Sequence, residues 1–343
     1  MGGNAFLSIG VKASRINREE YNVIVADVLQ RFPKHRQLHA CQELREKKDF
    51  GDIDFIVLRE PREDFSSTLR QIFGKDVLIN KNSHFISIIY NGIEGKNVQV
   101  DFICVDDAGT FEFSCHLLDW NDTSCILGEI ISRCLKVPEG RLKLCDKALK
   151  YQLYLPHDNG RKHQEIVLST NFYEALEVTG FKVEVYKKGF GTAEEVFAFL
   201  TDNTYFDPQV YVDFALNSHK TKQMQKRSMR TSFFEHVESL APVRALEAFP
   251  LFEIFPDLPA KIEATKKAVG DAYERKKAIT SKFNGHLVRE RYSVLPEHMR
   301  ARMKMIVTSK PQWEDFVFGA TEEEVWKHVD ELMVGVHGSG NVV

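Results

Sequence analysis

The sequence predicts an α+β protein, in which a small mixed sheet comes first and mostly helical domains follow. Three observations predict this class. Short apolar runs with polar residues at alternate positions recur before residue 105, as half-buried strands require. Helices with clear start signals are interleaved with these runs. Beyond residue 121, apolar residues recur mainly at helical spacing.

The elements of the predicted sheet domain follow one another in a simple order. A capping box formed by Asn17 and Glu20 starts a helix, which Pro33 ends. A strand is predicted from Asp52, and a helix over 65–73 then ends at Gly74. Further strands are predicted over 77–79, 85–90 and 98–104. Helix, strand, helix and hairpin together make a small mixed-sheet unit.

Two of these strands carry carboxylates within apolar runs. Asp52 and Asp54 lie two residues apart, so they share one face of their strand while its apolar residues point the other way. Asp101 stands in the middle of the run 98–103. A solvated turn or a Ca²⁺ loop is the alternative for the pair, but a Ca²⁺ loop would not continue as Phe-Ile-Val-Leu. If the two strands are neighbours, three carboxylates meet where hard Mg²⁺ ions could bind, as phosphoryl transfer requires.

This pattern, Gly51-Asp52-Ile53-Asp54 with Asp101 on a later strand, resembles the DNA polymerase β-like nucleotidyltransferase superfamily. The resemblance covers roughly residues 35 to 105 and implies that the three aspartates are catalytic. It also implies that they bind two Mg²⁺ ions and that a nucleoside triphosphate (NTP) is the substrate. The order of residues in the last third of the chain is faintly similar to that in the C-terminal helices of CCA-adding enzymes and bacterial poly(A) polymerases.

The same resemblance suggests where the triphosphate binds. In that superfamily a Gly-Ser pair opens a helix before the first aspartate and grips the triphosphate. Here Cys41-Gln42 stands at that position, which leaves backbone N–H groups as the phosphate contacts. The remaining predicted phosphate contacts lie in the basic segment that follows and at the start of the strand: Arg45, Lys47, Lys48 and Gly51.

Two basic clusters are candidate contacts for RNA or the triphosphate. A helix is predicted after Pro138-Glu139-Gly140, with Lys143, Lys147 and Lys150 on one face. The run 219–230 is more strongly basic, because it has five Lys or Arg residues and no acidic one: Lys220, Lys222, Lys226, Arg227 and Arg230. Such a run would bind phosphates in a salt-dependent manner. For both clusters, a solvated helix face is the alternative, and for the run 219–230 contact with a protein partner is a further alternative.

Composition limits the class of protein. A length of 343 residues with 43% hydrophobic residues predicts two or three domains, which we place at 1–120, 121–235 and 236–343. The net charge of −3 excludes strong non-specific attraction to nucleic acid by the whole protein. The six cysteines include no Cys-x-x-Cys pair and predict buried thiols in a reducing, cytoplasmic environment. No signal peptide or membrane span is predicted.

The leading hypothesis is a Mg²⁺-dependent, template-independent nucleotidyltransferase that adds nucleotides to an RNA 3′ end. The likeness to CCA-adding enzymes suggests tRNA as that RNA. One alternative keeps the enzyme and changes the acceptor to a protein, a small molecule or a second nucleotide. Another is a non-catalytic module that binds nucleotide or RNA. Gly2-Gly3-Asn4 permits a close backbone approach, but the sequence indicates no role for it.

Overall fold

A computed structural model describes residues 3–82, 85–145, 147–155, 163–217, 228–240, 248–294 and 296–337. The chain divides into two compact units, Met1–Leu258 and Pro259–Val343. Helices and a mixed sheet are both present, which confirms the α+β class in its general form. The finer division into three domains stays a prediction. Within the described part of the chain, every helix is too short or too polar to cross a bilayer.

The strands fall into three sheets. They are β1 (Ile16–Asn17), β2 (Leu38–Ala40), β3 (Asp49–Phe50), β4 (Asp52–Leu58), β5 (Ile79–Lys81), β6 (Phe85–Tyr90), β7 (Val98–Val105), β8 (Gly140–Cys145), β9 (Ala148–Tyr154) and β10 (His163–Ser169). The central sheet has the order β2-β4-β7-β6-β5, in which only the β4–β7 pair is parallel. β1 pairs with β3, and β8, β9 and β10 form a separate antiparallel sheet.

The first unit also contains helices, some packed on these sheets and some on one another. They are α1 (Arg18–Arg31), α2 (Phe65–Phe73), α3 (Ala108–Leu117), α4 (Thr123–Arg133), α5 (Phe172–Val178), α6 (Val183–Lys188), α7 (Ala193–Thr201), α8 (Pro208–Asn217), α9 (Ser228–Glu238) and α10 (Leu251–Ile254). The predicted capping box starts α1, where the Asn17 side chain accepts the Glu20 N–H at 2.9 Å. Helix α2 has the predicted bounds, whereas β5 begins two residues later than expected.

The two faces of the central sheet differ in what covers them. Helices α1 and α2 contribute to a core on one face, and from β4 this core takes Ile53, Phe55 and Val57. On the other face, Ile56 packs with Cys115 of α3. The apolar alternation of β4 therefore fills the first core, and the positions between point to the face of α3.

The helix predicted around Lys143, Lys147 and Lys150 is wrong. Residues 140–145 and 148–154 form the β8–β9 hairpin, in which Lys143 lies directly opposite Lys150, and Lys147 lies in the connecting turn. The lysines are spaced as on a helix, but alternate residues Leu149, Tyr151 and Leu153 are fully buried, and this period of two is that of a strand.

The second unit is helical, as predicted. Its elements follow α11 (Leu258–Lys282), which begins at the unit boundary, and are α12 (Gly285–Tyr292), α13 (Pro296–Thr308), α14 (Trp313–Gly319) and α15 (Glu322–His337). Phe283 and Trp313 lie edge to face with ring centroids 5.0 Å apart inside its core. These rings are core residues, so they are not available to stack on nucleobases.

Candidate functional site

Three aspartates meet on the face of the central sheet that α3 partly covers. Asp54 on β4 is the register partner of Asp101 on β7, and Asp52 lies two residues earlier on β4. Partners in a parallel pair project from the same face, so the three side chains share it. The apolar residues between them lie in the core on the opposite face. The sequence pattern predicted this arrangement if the strands were neighbours, and they are.

Burial and crowding make ionisation of Asp54 and Asp101 unfavourable. Burial, together with the nearby carboxylates of Asp52 and Asp101, raises the pKa of Asp54 to about 8. Burial also raises the pKa of Asp101 to about 6, although the nearby Ser87 hydroxyl and the hydrogen bonds from Gln99 oppose the change. A cation placed among these groups would remove both penalties.

The aspartates are held by residues that the sequence analysis did not identify. Gln99 is buried, and its Nε2 donates to both carboxylate oxygens of Asp101 at 3.0 and 2.9 Å. Its Oε1 accepts the N–H of Ala5 at 2.9 Å, and the N–H of Gly3 donates to Asp52 Oδ2 at 3.2 Å. The glycines near residue 3 were the only sequence signal for these contacts. They permit a close backbone approach, but nothing in the pattern indicated which residues would approach them.

The donor set fits a hard cation, although its members are turned toward protein partners. Among the described residues, no three His, Cys, Asp or Glu side chains already stand around one point so as to hold an ion. Asp101 is turned toward Gln99 and one oxygen of Asp52 toward Gly3. The set offers only carboxylate oxygens, which Mg²⁺ prefers, and these groups are mutually repulsive without a cation. Asp52, Asp54 and Asp101 are therefore the residues that would hold the metal.

A cavity of about 690 Å³ opens at these carboxylates. It is large enough for a nucleotide, since ligand pockets usually measure about 300–1,000 Å³. Its lining comes from the loop before β4, from β4 itself, from the end of α3 and from α9: Arg15, Cys41, Gln42, Glu43, Leu44, Glu46, Lys47, Asp49, Gly51, Asp52, Asp54, Leu118, Asn121, Asp122, Ala193, Ser228, Met229 and Ser232. Asp101 lies behind this surface, beside Asp54.

The segment at Cys41-Gln42 is a loop and does not open a helix. The Cys41 N–H donates to the carbonyl oxygen of Asp54 at 3.0 Å, and the Gln42 N–H donates to Asp119 Oδ1 at 2.8 Å. Asp119 is buried and its Oδ1 also lies 2.9 Å from Nε2 of His39. Both N–H groups that the resemblance suggested for phosphate are thus used within the fold.

Only one of the three predicted loop cations lines the cavity. The Lys47 Nζ donates to Glu43 Oε1 at 2.6 Å and to Asn121 Oδ1 at 2.8 Å, which holds it at the cavity wall. Arg45 is exposed and lies 3.8 Å from Glu195, and Lys48 is exposed outside the cavity lining. Arg15 also lines the cavity, and the sequence analysis did not identify it.

The predicted RNA contacts have mixed outcomes. Lys143 and Lys150 form ion pairs with Glu165 of β10, at 3.1 and 2.6 Å. Arg230 is buried and donates to Glu129, which removes it from the predicted basic face. The other predicted cations of the run lie outside the described residues: Lys220, Lys222, Lys226 and Arg227.

The predicted buried thiols are found in part. Cys41, Cys115 and Cys134 are buried, whereas Cys125 is exposed.

Comparison of the chain with protein-family models and with curated proteins finds no match.

Proposed function

We propose that the protein is a Mg²⁺-dependent nucleotidyltransferase, which transfers a nucleotide from an NTP to a hydroxyl group and releases pyrophosphate. The observation that carries this proposal is the register pairing of Asp54 with Asp101, with Asp52 on the same face and a cavity of about 690 Å³ in front. A carboxylate triad of this kind at a nucleotide-sized cavity suits phosphoryl transfer better than other chemistry that oxygen ligands support.

The aspartates have distinct roles in this proposal. Asp52 and Asp54 would bind both Mg²⁺ ions, and Asp101 would bind the one that activates the acceptor hydroxyl. When bound, Mg²⁺ lowers the pKa of that hydroxyl and neutralises charge on the triphosphate. The acceptor oxygen forms a bond to the α-phosphorus, the bond from phosphorus to the bridging oxygen breaks, and pyrophosphate leaves. The hydroxyl proton passes to the Asp101 carboxylate.

Cations at the cavity wall would steady the triphosphate. Lys47 faces the cavity and has Glu43 as its carboxylate partner, while burial raises the pKa of Glu43. Arg15 is the other cationic residue of the lining and is paired with Asp49 at 2.5 Å. Both ion pairs could exchange a carboxylate for a phosphate oxygen, since a phosphate offers the same kind of acceptor.

An RNA 3′ end is the proposed acceptor, with tRNA as the first candidate. The basic run 219–230 supports it, because the run leads into Ser228 and Met229, which line the cavity. Alanine at Lys220, Lys222, Lys226 and Arg227 should weaken RNA binding and flatten its dependence on salt, as counterion release predicts. Equal binding and an equal salt slope in wild type and variant would remove RNA as the acceptor.

A second candidate keeps the transfer and changes the acceptor. The described cavity lining contains six Asp or Glu residues but only Arg15 and Lys47 as basic residues. Such an excess of carboxylates favours a small cationic molecule or a protein hydroxyl over a polyanion. This candidate and the RNA acceptor share the same metal site, so only the product distinguishes them.

The test is incubation of the protein with Mg²⁺, each labelled NTP in turn and total RNA, followed by a denaturing gel. Label in RNA supports RNA-end addition, and label in protein or a small product supports the second candidate. Asp101→Asn should abolish transfer. Asp106→Asn is the matched control, because Asp106 follows the same strand but forms a surface ion pair with Arg59. Nucleotide binding without pyrophosphate release in any mixture would indicate a non-catalytic module.

A further inference from the structure

The backbone of residues 3–6 lies against the carboxylate site. The Gly3 N–H donates to Asp52 Oδ2 at 3.2 Å, and Ala5 donates its N–H to Gln99, which in turn donates to Asp101. Two of the three aspartates are thus connected to one short segment, which we call segment 3–6. Sequence separation is large, because Gly3 lies 49 residues from Asp52 and Ala5 lies 94 residues from Gln99.

Further contacts at residues 5 and 6 anchor segment 3–6. Phe6 is 2% exposed, and the Asn80 side chain donates to the carbonyl oxygen of Ala5. Gln99, which receives the segment, is itself 3% exposed. A side chain buried to that degree with both of its polar atoms satisfied has one stable orientation.

Position 3 admits only glycine. Gly3 has φ of +85°, and a Cβ there would lie 2.7 Å from the carbonyl oxygen of Gly51. The close approach and the left-handed backbone both exclude an ordinary side chain. Gly51 immediately precedes Asp52, so the segment touches the backbone of the site as well as its carboxylate.

We propose that segment 3–6 and Gln99 position Asp52 and Asp101 to bind metal. This inference rests on the proposed function and deepens it. Hydrogen bonds from outside the ligand set fix the orientation of ligating carboxylates, and their loss typically lowers metal affinity about 10–100-fold. Each bond occupies one lone pair of an oxygen and leaves others for a cation. Gly3 and Gln99 are positioning residues, because they act through the aspartates.

The test compares two glycines of the same region. Gly3→Ala and Gly10→Ala both place a side chain at positive φ, since Gly10 has φ of +79°, but a Cβ at Gly10 meets nothing within 4 Å. Mn²⁺, which reports on a Mg²⁺ site, is titrated by electron paramagnetic resonance without nucleotide or acceptor. We expect Gly3→Ala to bind Mn²⁺ about tenfold or more weakly than wild type, and Gly10→Ala to bind within about twofold.

Two outcomes would overturn the inference. If Gly3→Ala and Gly10→Ala have the same Mn²⁺ affinity, segment 3–6 does not position the ligands. Tighter Mn²⁺ binding or faster transfer by Gly3→Ala would show that the segment blocks the site. Failure of the proposed function looks different, because wild type would then bind no Mn²⁺ or would bind it equally well after Asp52→Ala.

A second variant keeps the test decisive if Gly3→Ala does not fold. Gln99→Met has a similar volume but loses the donor to Asp101 and the acceptor for Ala5. We expect weaker Mn²⁺ binding and a higher Mg²⁺ concentration for half-maximal transfer, with a smaller change in the NTP KM. Unchanged Mn²⁺ affinity in a folded Gln99→Met protein would contradict the inference.

Discussion

Asp119 accepts the Gln42 N–H at 2.8 Å from a position where it is only 2% exposed. This bond fixes the loop that forms one wall of the cavity. A second bond supports it, since the Trp120 N–H donates to the Gln42 carbonyl oxygen at 2.7 Å. The loop geometry at Gln42 therefore depends on a carboxylate far along the chain, which no pattern around Gln42 could indicate.

Removing this carboxylate should affect both stability and nucleotide binding. Asp119→Ala leaves the Gln42 N–H and His39 without this partner, so we expect a loss of about 2 kcal/mol in the free energy of unfolding. The loosened loop should also raise the NTP KM. Urea unfolding and steady-state kinetics measure the two effects. Asp119→Asn retains one acceptor oxygen and should lose about half as much stability; an Ala variant as stable as wild type would contradict this role.

Asp54 should destabilise the metal-free protein near neutral pH. Its folded-state pKa of about 8 exceeds the ordinary value of 3.8, so the unfolded chain releases this proton first, and stability falls as pH rises between these values. Asp54→Asn removes that loss. In EDTA at pH 7.5 we expect the variant to be more stable than wild type by on the order of 2 kcal/mol.

Urea unfolding at pH 5 and pH 7.5 checks this expectation, because the advantage of Asp54→Asn should be larger at the higher pH. Asp106→Asn again serves as the control and should show no such change with pH. Mg²⁺ should stabilise wild type and leave Asp54→Asn nearly unaffected. A variant less stable than wild type at both pH values would show that Asp54 is not under electrostatic strain.

Glu165 should contribute to acid stability with the opposite sign. Hydrogen bonds from Lys150 and Gln152, and then from Lys143, lower its pKa from 4.5 to about 2. The stabilisation is complete above about pH 4.5 and is lost as pH falls toward 2. Glu165→Gln should therefore lose about 1 kcal/mol at pH 7, a figure reduced for the partial exposure of the ion pairs.

The difference in the free energy of unfolding between wild type and Glu165→Gln should be smaller at pH 3.5 than at pH 7. Urea unfolding measures it. Glu184→Gln is a matched control, because Glu184 pairs with Lys187 at 3.0 Å but is 80% exposed. That variant should change stability little at either pH. A gap for Glu165→Gln that is equal at pH 7 and pH 3.5 would rule out the lysine pairs as its cause.

Arg230 should act on the fold and not on RNA. It donates to Glu129 of α4, whose other oxygen accepts from the Tyr211 hydroxyl at 3.3 Å, so three helices meet at this group. Arg230→Ala removes the cation beside the half-buried Glu129 carboxylate and should cost roughly 3 kcal/mol. Thermal and urea unfolding measure the loss. The double variant Arg230→Met with Glu129→Leu should recover most of it, whereas equal losses in both variants would exclude an unpaired charge as the cause.

The apolar alternation of β4 and β7 predicted that the aspartates lie on the face opposite the core, whereas the pairing of Asp54 with Asp101 was expected only if the two strands were neighbours, as they are. The helix predicted at Lys143 and Lys150 was wrong, because the charges have helical spacing while the apolar residues have the period of two of a strand. Arg230 looked like part of a basic face because its partner, Glu129, is distant in sequence. The contact of Gly3 with Asp52 was likewise unpredictable, since it depends on tertiary packing.

Strand β7 is the middle strand of the central sheet, and it is the last of the five to be synthesised. Until it emerges from the ribosome, β2–β4 and β5–β6 are two separate pairs, each with an unsatisfied edge toward the missing strand. The nascent chain is thus most exposed to aggregation just before residues 98–105 emerge from the ribosome. Slow translation after that point would give this strand time to insert and would favour soluble product.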